Sequence, residues 1–224
     1  MNRLFIMRHG GSTGNEDPSF YALNDSAICL TTNGIRQCLA TAAVLAGVTA
    51  RWQKPGDFAV EAYASEYTRA GQTARVVLDQ MGLLSLRPRI QPLINERNYG
   101  TKYEARMDKD PYFDGNDSES AVNARLRVKT FIHDVDAALY RADVIVFSHF
   151  GTIRALVADL LQMSDTDMML FDVPNGAAFL FERSFVAGKP RFSRKELPAH
   201  ILEKTATFIR MPDIASACNS PLRR

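Results

Sequence analysis

Short apolar runs alternate along this chain with longer segments of helical period, and that alternation limits the fold more than any single motif. Residues 4–7, 60–64, 89–94, 143–147 and 177–181 are runs of strand formers. Most are apolar at nearly every position, as strands covered on both faces must be. Between them, Thr31 or Thr32 is placed to cap a helix running to about Ala46, and Thr68 another to about Met81. Val128, Phe131, Ile132, Val135 and Leu139 keep the three-four spacing of a buried helical stripe, and a further helix begins near Gly151. The pattern predicts an α/β fold, a three-layer α/β/α sandwich around a mostly parallel central sheet. With 224 residues, 46% hydrophobic and 23% charged, and no internal repeat, residues 1–224 read as a single domain. Residues 99–120 are polar, charged and glycine-interrupted, an insert or lid over one edge; residues 185–224 form a weakly patterned C-terminal extension.

Several function classes fall away. The formal charge is +2 and no run of like charges forms a basic arm, so no nucleic-acid partner is indicated. The first residues enter a strand at once and no long apolar run follows, so no membrane partner is expected and the location reads as cytoplasmic. Cys29, Cys38 and Cys218 are an odd count without metal spacing, which suits reduced thiols. Cys218 opens a C-x5-R string ending at Arg224, but it lacks the strand and helix that a phosphate-binding thiolate loop needs. His133-Asp134 lies within an amphipathic helix without a matching histidine cluster and reads as surface. Neither metal nor cofactor is called for, and a homo-oligomer stays open.

Loops leaving the carboxyl ends of parallel strands converge on one crevice. Here the first strand ends at Arg8-His9, the second is followed by Ser65 and Arg69, the third by Glu96 and the fourth by Ser148-His149. A phosphoryl group in transfer spreads charge over three oxygens and needs fixed donors more than covalent machinery. Arg8 and Arg69 offer guanidinium forks that match oxyanions. The loop from Gly10 to Asn15 adds backbone N–H groups and the Asn15 amide. An unprotonated imidazole nitrogen of His9 can attack phosphorus, Glu96 can protonate the leaving alcohol and later deprotonate water, and His149 completes the clamp on the oxygens.

These residues resemble the histidine phosphatase superfamily, in its phosphoglycerate mutase-like branch, over roughly residues 3–182. The likeness rests on Arg8-His9-Gly10 with Asn15 six positions beyond the histidine, and on "LTTNGIRQ" (30–37), "AYASEYTRAGQTA" (62–74), "INERNYG" (94–100) and "VIVFSHFGTIRAL" (144–156). It implies that His9 is the phosphorylated nucleophile, that Arg8, Asn15, Arg69 and His149 form the phosphate pocket, and that Glu96 is the proton donor. The expected activity is that of a histidine acid phosphatase-type phosphomonoesterase acting on a small phosphorylated substrate. A mutase-type transfer, or a phospholigand-binding member with impaired turnover, are the alternatives.

Two positions depart from the family pattern: Gly11 stands where Glu is common, and Phe150 where Gly is common. Phe150 either fills core beneath the loop or faces the substrate. Within the insert, Lys102, Arg106 and Lys109 offer only scattered charge, read as solvated, unlike the longer mutase excursion with its adjacent arginines. A phosphatase is favoured on that ground.

Overall fold

The computed structural model describes residues 2–17, 19, 27–50, 59–100 and 103–197. Six strands form one sheet in the order β3-β2-β4-β1-β5-β6. They are β1 Arg3–Arg8, β2 Ala59–Ala64, β3 Arg89–Ile90, β4 Ala142–Ser148, β5 Ala178–Val186 and β6 Lys189–Lys195. β1, β2, β3 and β4 run parallel, while β5 pairs antiparallel with both β1 and β6.

Side chains alternate across this sheet, and the two faces have separate cores. Leu4 and Ile6 of β1, with Val144 and Val146 of β4, pack on one face beneath α4 (Ala121–Ala138), α5 (Phe150–Leu161) and α6 (Asp165–Leu170). Phe5, Met7, Ile145 and Phe147 pack on the other beneath α2 (Thr32–Val48) and α3 (Thr68–Gln80). All seven residues of β4 are buried, as the central strand of a doubly covered sheet must be. The expected stripe on α4 is real: Val128, Phe131 and Val135 are buried, with Leu139 just beyond, while His133 and Asp134 are exposed.

Three boundaries differ from the sequence pattern. The run at 89–94 is a strand only at Arg89–Ile90; Pro92 has no N–H to give the sheet and opens a 3-10 turn over Pro92–Ile94, capped by the Gln91 side chain. Thr68 is the first helical residue of α3, with Tyr67 as its N-cap. The segment after Ser184, expected to be a weakly patterned extension, continues β5 and turns back as β6. β6 is exposed along nearly its whole length, so backbone pairing alone makes it a strand. The C-x5-R string at Cys218 lies outside the described residues.

Candidate active site

The site is built where β1, β2 and β4 end side by side, and it begins with a helix pressed onto a loop. The Thr31 side chain caps α2 by accepting from Gly34 N, and Thr31 N donates to the Gly11 carbonyl at 2.9 Å. Gly34 then touches the loop so closely that a Cβ there would overlap the Gly11 backbone, and one on Gly10 would overlap the Gly34 carbonyl. This contact is the structural content of "LTTNG". Gly10 N donates to Thr73 Oγ1 (3.2 Å) and Gly11 N to Gln37 Oε1 (2.8 Å). The loop backbone is thereby held by α3 and α2.

Beside it the His9 ring is buried, and its Nδ1 lies 2.7 Å from the Gly10 carbonyl. A carbonyl can only accept, so Nδ1 carries the hydrogen. Burial, with the Arg69 and Arg8 guanidiniums, holds the His9 pKa well below the usual imidazole range. The ring is therefore neutral, and Nε2 presents a lone pair. The His149 ring stands 5.1 Å away, centroid to centroid, fully buried at the N-cap of α5. Burial and the same two arginines, with His9, depress its pKa as well.

Arg69 is 2% exposed, with its guanidinium 5.0 Å from the Tyr67 ring. Arg8 donates to the Val173 carbonyl at 2.6 Å, and its guanidinium lies 5.0 Å from the Phe150 ring. Phe150 also carries Arg154 on its ring at 4.0 Å and packs against the core, so it fills space beneath the site and shelves two cations. Asn15 is exposed at the end of the short α1 (Thr13–Glu16), with its amide oxygen accepting from Ser12 N at 3.1 Å.

Glu96 Oε1 accepts three backbone N–H groups: Arg97 (2.8 Å), Gly151 (3.0 Å) and Thr152 (3.2 Å). The last two open α5, where orphan N–H groups favour an acceptor. Burial nevertheless pushes the carboxyl above its ordinary pKa, against the pull of Arg69, the Arg97 N–H and Arg8. With Oε1 anchored, a proton belongs on Oε2. A Cβ on Gly151 would crowd the Tyr99 hydroxyl at 2.8 Å and Glu96 Oε1 at 3.1 Å, so a glycine follows Phe150 for reasons of space.

The loop carrying Glu96 hangs from its neighbours by its carbonyls. Ser148 Oγ donates to Ile94 O (2.8 Å), Thr152 Oγ1 to Asn95 O (2.6 Å) and Arg127 Nη1 to Leu93 O (2.6 Å). Arg127 is itself paired bidentately with Glu119, both contacts at 2.8 Å. Arg97 donates to the carbonyls of Glu119 and Met107, tying the 103–119 segment to the site loop. In that segment Arg106 pairs with Asp110 and Lys109 is exposed, while Lys102 lies outside the described residues.

The structure thus brings together Arg8, His9, Arg69, Glu96 and His149, and leaves Asn15 exposed on the same loop. Sequence reasoning missed the neutral supports Gln37, Thr73, Asn95 and Thr152 and the cation Arg127. Thr73 was open to discovery: it stands one helical turn after Arg69, on the same face. Among the described residues no group of three or more His, Cys, Asp or Glu side chains could hold a metal, and no helix is long and apolar enough to cross a membrane.

Residues 4–189 match the model of the histidine phosphatase superfamily (branch 1). The chain belongs to that superfamily. A 2,3-bisphosphoglycerate-dependent phosphoglycerate mutase of Azorhizobium caulinodans is 29% identical over 202 residues, 81% of this chain and 92% of the mutase. Among solved structures, a candidate alpha-ribazole-5'-P phosphatase of Escherichia coli superposes with TM-score 0.67 at 25% identity, covering 89% of this chain and 98% of that one. A mycobacterial glucosyl-3-phosphoglycerate phosphatase, solved with VO3, gives 0.67 at 20% identity, covering 89% and 100%.

Proposed function

We propose that the protein is a phosphomonoesterase that hydrolyses a small phosphorylated substrate through a phosphohistidine. The observation that carries this reading is the His9 ring: neutral, with Nδ1–H on the Gly10 carbonyl, Nε2 bearing a lone pair, and Arg8 and Arg69 close by. The two guanidiniums, the Asn15 amide and His149 hold the phosphoryl oxygens. His9 Nε2 forms a bond to phosphorus as the ester P–O bond breaks, and the leaving oxygen takes the Glu96 proton. Water then attacks phosphorus, giving its proton to the Glu96 carboxylate as the P–N bond breaks, which returns neutral His9, protonated Glu96 and inorganic phosphate.

Water is favoured over a second alcohol as acceptor because Arg106 is turned to Asp110 and Lys109 to solvent, so neither offers a grip on a phosphoglycerate carboxylate. The named activity of the Escherichia coli relative supports the same choice. Mutase-type transfer is the second reading, supported by the Azorhizobium caulinodans relative. Rapid quench with labelled substrate tests the proposal. An acid-labile, base-stable phosphoprotein should form and decay to free phosphate, and His9→Ala should abolish it. Label retained in His9→Ala overturns the assignment, and interconversion of phosphoglycerates without free phosphate puts the mutase reading in its place.

A further inference from the structure

The hydrogen on His149 can be placed from its neighbours alone. Glu66 N donates to Asn95 Oδ1 at 3.0 Å while Asn95 Nδ2 donates to Glu66 Oε2 at 2.7 Å, which fixes the amide orientation. Ser65 Oγ lies 2.9 Å from that same Asn95 Oδ1, a carbonyl oxygen, so the single hydroxyl hydrogen of Ser65 is spent there. Ser65 Oγ is then an acceptor toward its other two contacts, Tyr67 N at 3.2 Å and His149 Nε2 at 2.8 Å. The hydrogen of a neutral His149 therefore sits on Nε2. Its Nδ1 is a bare lone pair, buried and without a hydrogen-bond partner.

Toward a bound anion such an atom is one more acceptor. A phosphate monoester dianion has no hydrogens, so its oxygens and Nδ1 are all acceptors. One proton must be present for them to bond. The groups facing the ring are Arg69 from α3, Arg8 at the end of β1 and His9 just beyond it, Arg127 from α4 and the Tyr67 ring at 5.2 Å. All the charged ones are cations, which keep the ring neutral until an anion arrives.

We propose that binding of a phosphoryl dianion here takes up one proton, held between His149 Nδ1 and a phosphoryl oxygen, and that Ser65 and Asn95 are positioning residues that keep Nδ1 open for it. The proposal rests on the phosphatase reading, in which the phosphoryl group sits among His9, Arg8 and Arg69. The proton is not consumed: it enters with the dianion and leaves with the product phosphate. Asn95 adjoins Glu96, so one short turn positions both the general acid and, through Ser65, the clamp histidine.

The test is nitrogen NMR of 15N-histidine-labelled protein at pH 8, with His149 assigned through His149→Gln, alongside calorimetry of phenylphosphonate binding in buffers of different ionisation enthalpy; this dianion, like that of an ester, carries no hydrogen on its oxygens, and its P–C bond is not hydrolysed. Without phenylphosphonate, His149 should be neutral with its hydrogen on Nε2. Saturating phenylphosphonate should convert it to the doubly protonated form with uptake of about one proton, and affinity should fall about tenfold per pH unit above pH 8. Ser65→Ala should mix the two tautomers and weaken the pH dependence, and Ser65→Thr should restore both. A hydrogen on Nδ1 in the ligand-free protein, or phenylphosphonate bound without proton uptake, overturns the proposal alone. No binding of phenylphosphonate or of inorganic phosphate overturns the phosphatase reading and the coupled uptake with it.

Discussion

Gly34 at the start of α2 lies directly against the Gly11 backbone, with no room between them for a methyl group. Gly11 is different: a Cβ there would come no nearer than 3.4 Å to Gln37 Oε1 and 3.6 Å to Gly34 Cα and Thr31 Oγ1. The absence of a side chain at Gly34 is thus demanded by packing, and at Gly11 it is not. Gly34→Ala should force helix and loop apart, costing about 1–3 kcal/mol and misplacing His9 and Asn15 at the two ends of the loop, with activity on p-nitrophenyl phosphate falling up to about 100-fold. Gly11→Ala should keep the melting temperature nearly unchanged. Thermal melts and steady-state rates of the two variants separate these outcomes.

Phe150 makes the second departure from the family pattern testable. Its ring supports Arg8 at 5.0 Å and Arg154 at 4.0 Å. Contacts of this kind contribute about 0.5–1 kcal/mol at partly exposed positions. Phe150→Ala should therefore lower kcat/KM by about two- to fivefold, mainly through a weaker hold on the phosphoryl group by Arg8. An unchanged kcat/KM would show that the shelf beneath Arg8 has no bearing on substrate.

Stability should fall as the pH falls below about 6.5. His9 and His149 both have pKa values well below the 6.5 of an unfolded histidine, so in that range the unfolded chain binds protons that the folded one refuses. Each then contributes a slope approaching 1.4 kcal/mol per pH unit, destabilising toward acid. Glu96 acts the opposite way: its folded pKa is raised from 4.5, so its contribution is present below that value and is lost as pH rises through the folded pKa. Two histidines against one carboxyl leave a net loss toward acid. Urea unfolding at fixed pH between 5 and 8 measures the slope, and His9→Ala should roughly halve its histidine part.

Activity is expected to survive chelation, because two arginines supply the positive charge that a metal would otherwise bring to the phosphoryl oxygens. Rates with EDTA should match those without. A loss that a divalent ion restores would bring a metal into the reaction.

What could be read in advance is the chemistry concentrated at strand ends. Arg8-His9, Arg69, Glu96 and His149 each follow an apolar run, and parallel pairing of β1, β2 and β4 brings them to one edge. Of the neutral supports, Thr73 could be placed by its helical spacing from Arg69, but its partner Gly10 is 63 residues away, and Gln37, 26 residues from Gly11, gave no such sign. Ser65 stands at a strand end that the sequence marks, but its bond to Asn95, 30 residues away, was hidden in the same way. β6 escaped for another reason. Only Phe192 of that strand is even partly buried, so its side chains carry no period, and its existence depends on hydrogen bonds to β5 that sequence does not display.

Glu96 can be probed through the leaving group. An alkyl alcohol departs poorly as an alkoxide and needs a proton in the transition state, whereas p-nitrophenolate leaves with little help. The anchored Oε1 matters here, since three backbone N–H groups hold the carboxyl in place and reserve Oε2 for the proton. A glutamine in its place can keep the anchor through its carbonyl oxygen, so Glu96→Gln removes the proton without releasing the loop. General acid catalysis is typically worth about 10²- to 10⁴-fold. Phosphoenzyme formation from an alkyl phosphate should slow by that amount, and formation from p-nitrophenyl phosphate by clearly less. The two steps must be timed separately, because loss of the same carboxylate also slows the attack of water and can limit turnover with both esters. Equal and undiminished rates of phosphoenzyme formation from both esters would remove Glu96 as the acid. Glu119 would be a poor replacement, since both its oxygens are engaged by Arg127, and Glu16 and Asp17, exposed near the loop, would come next.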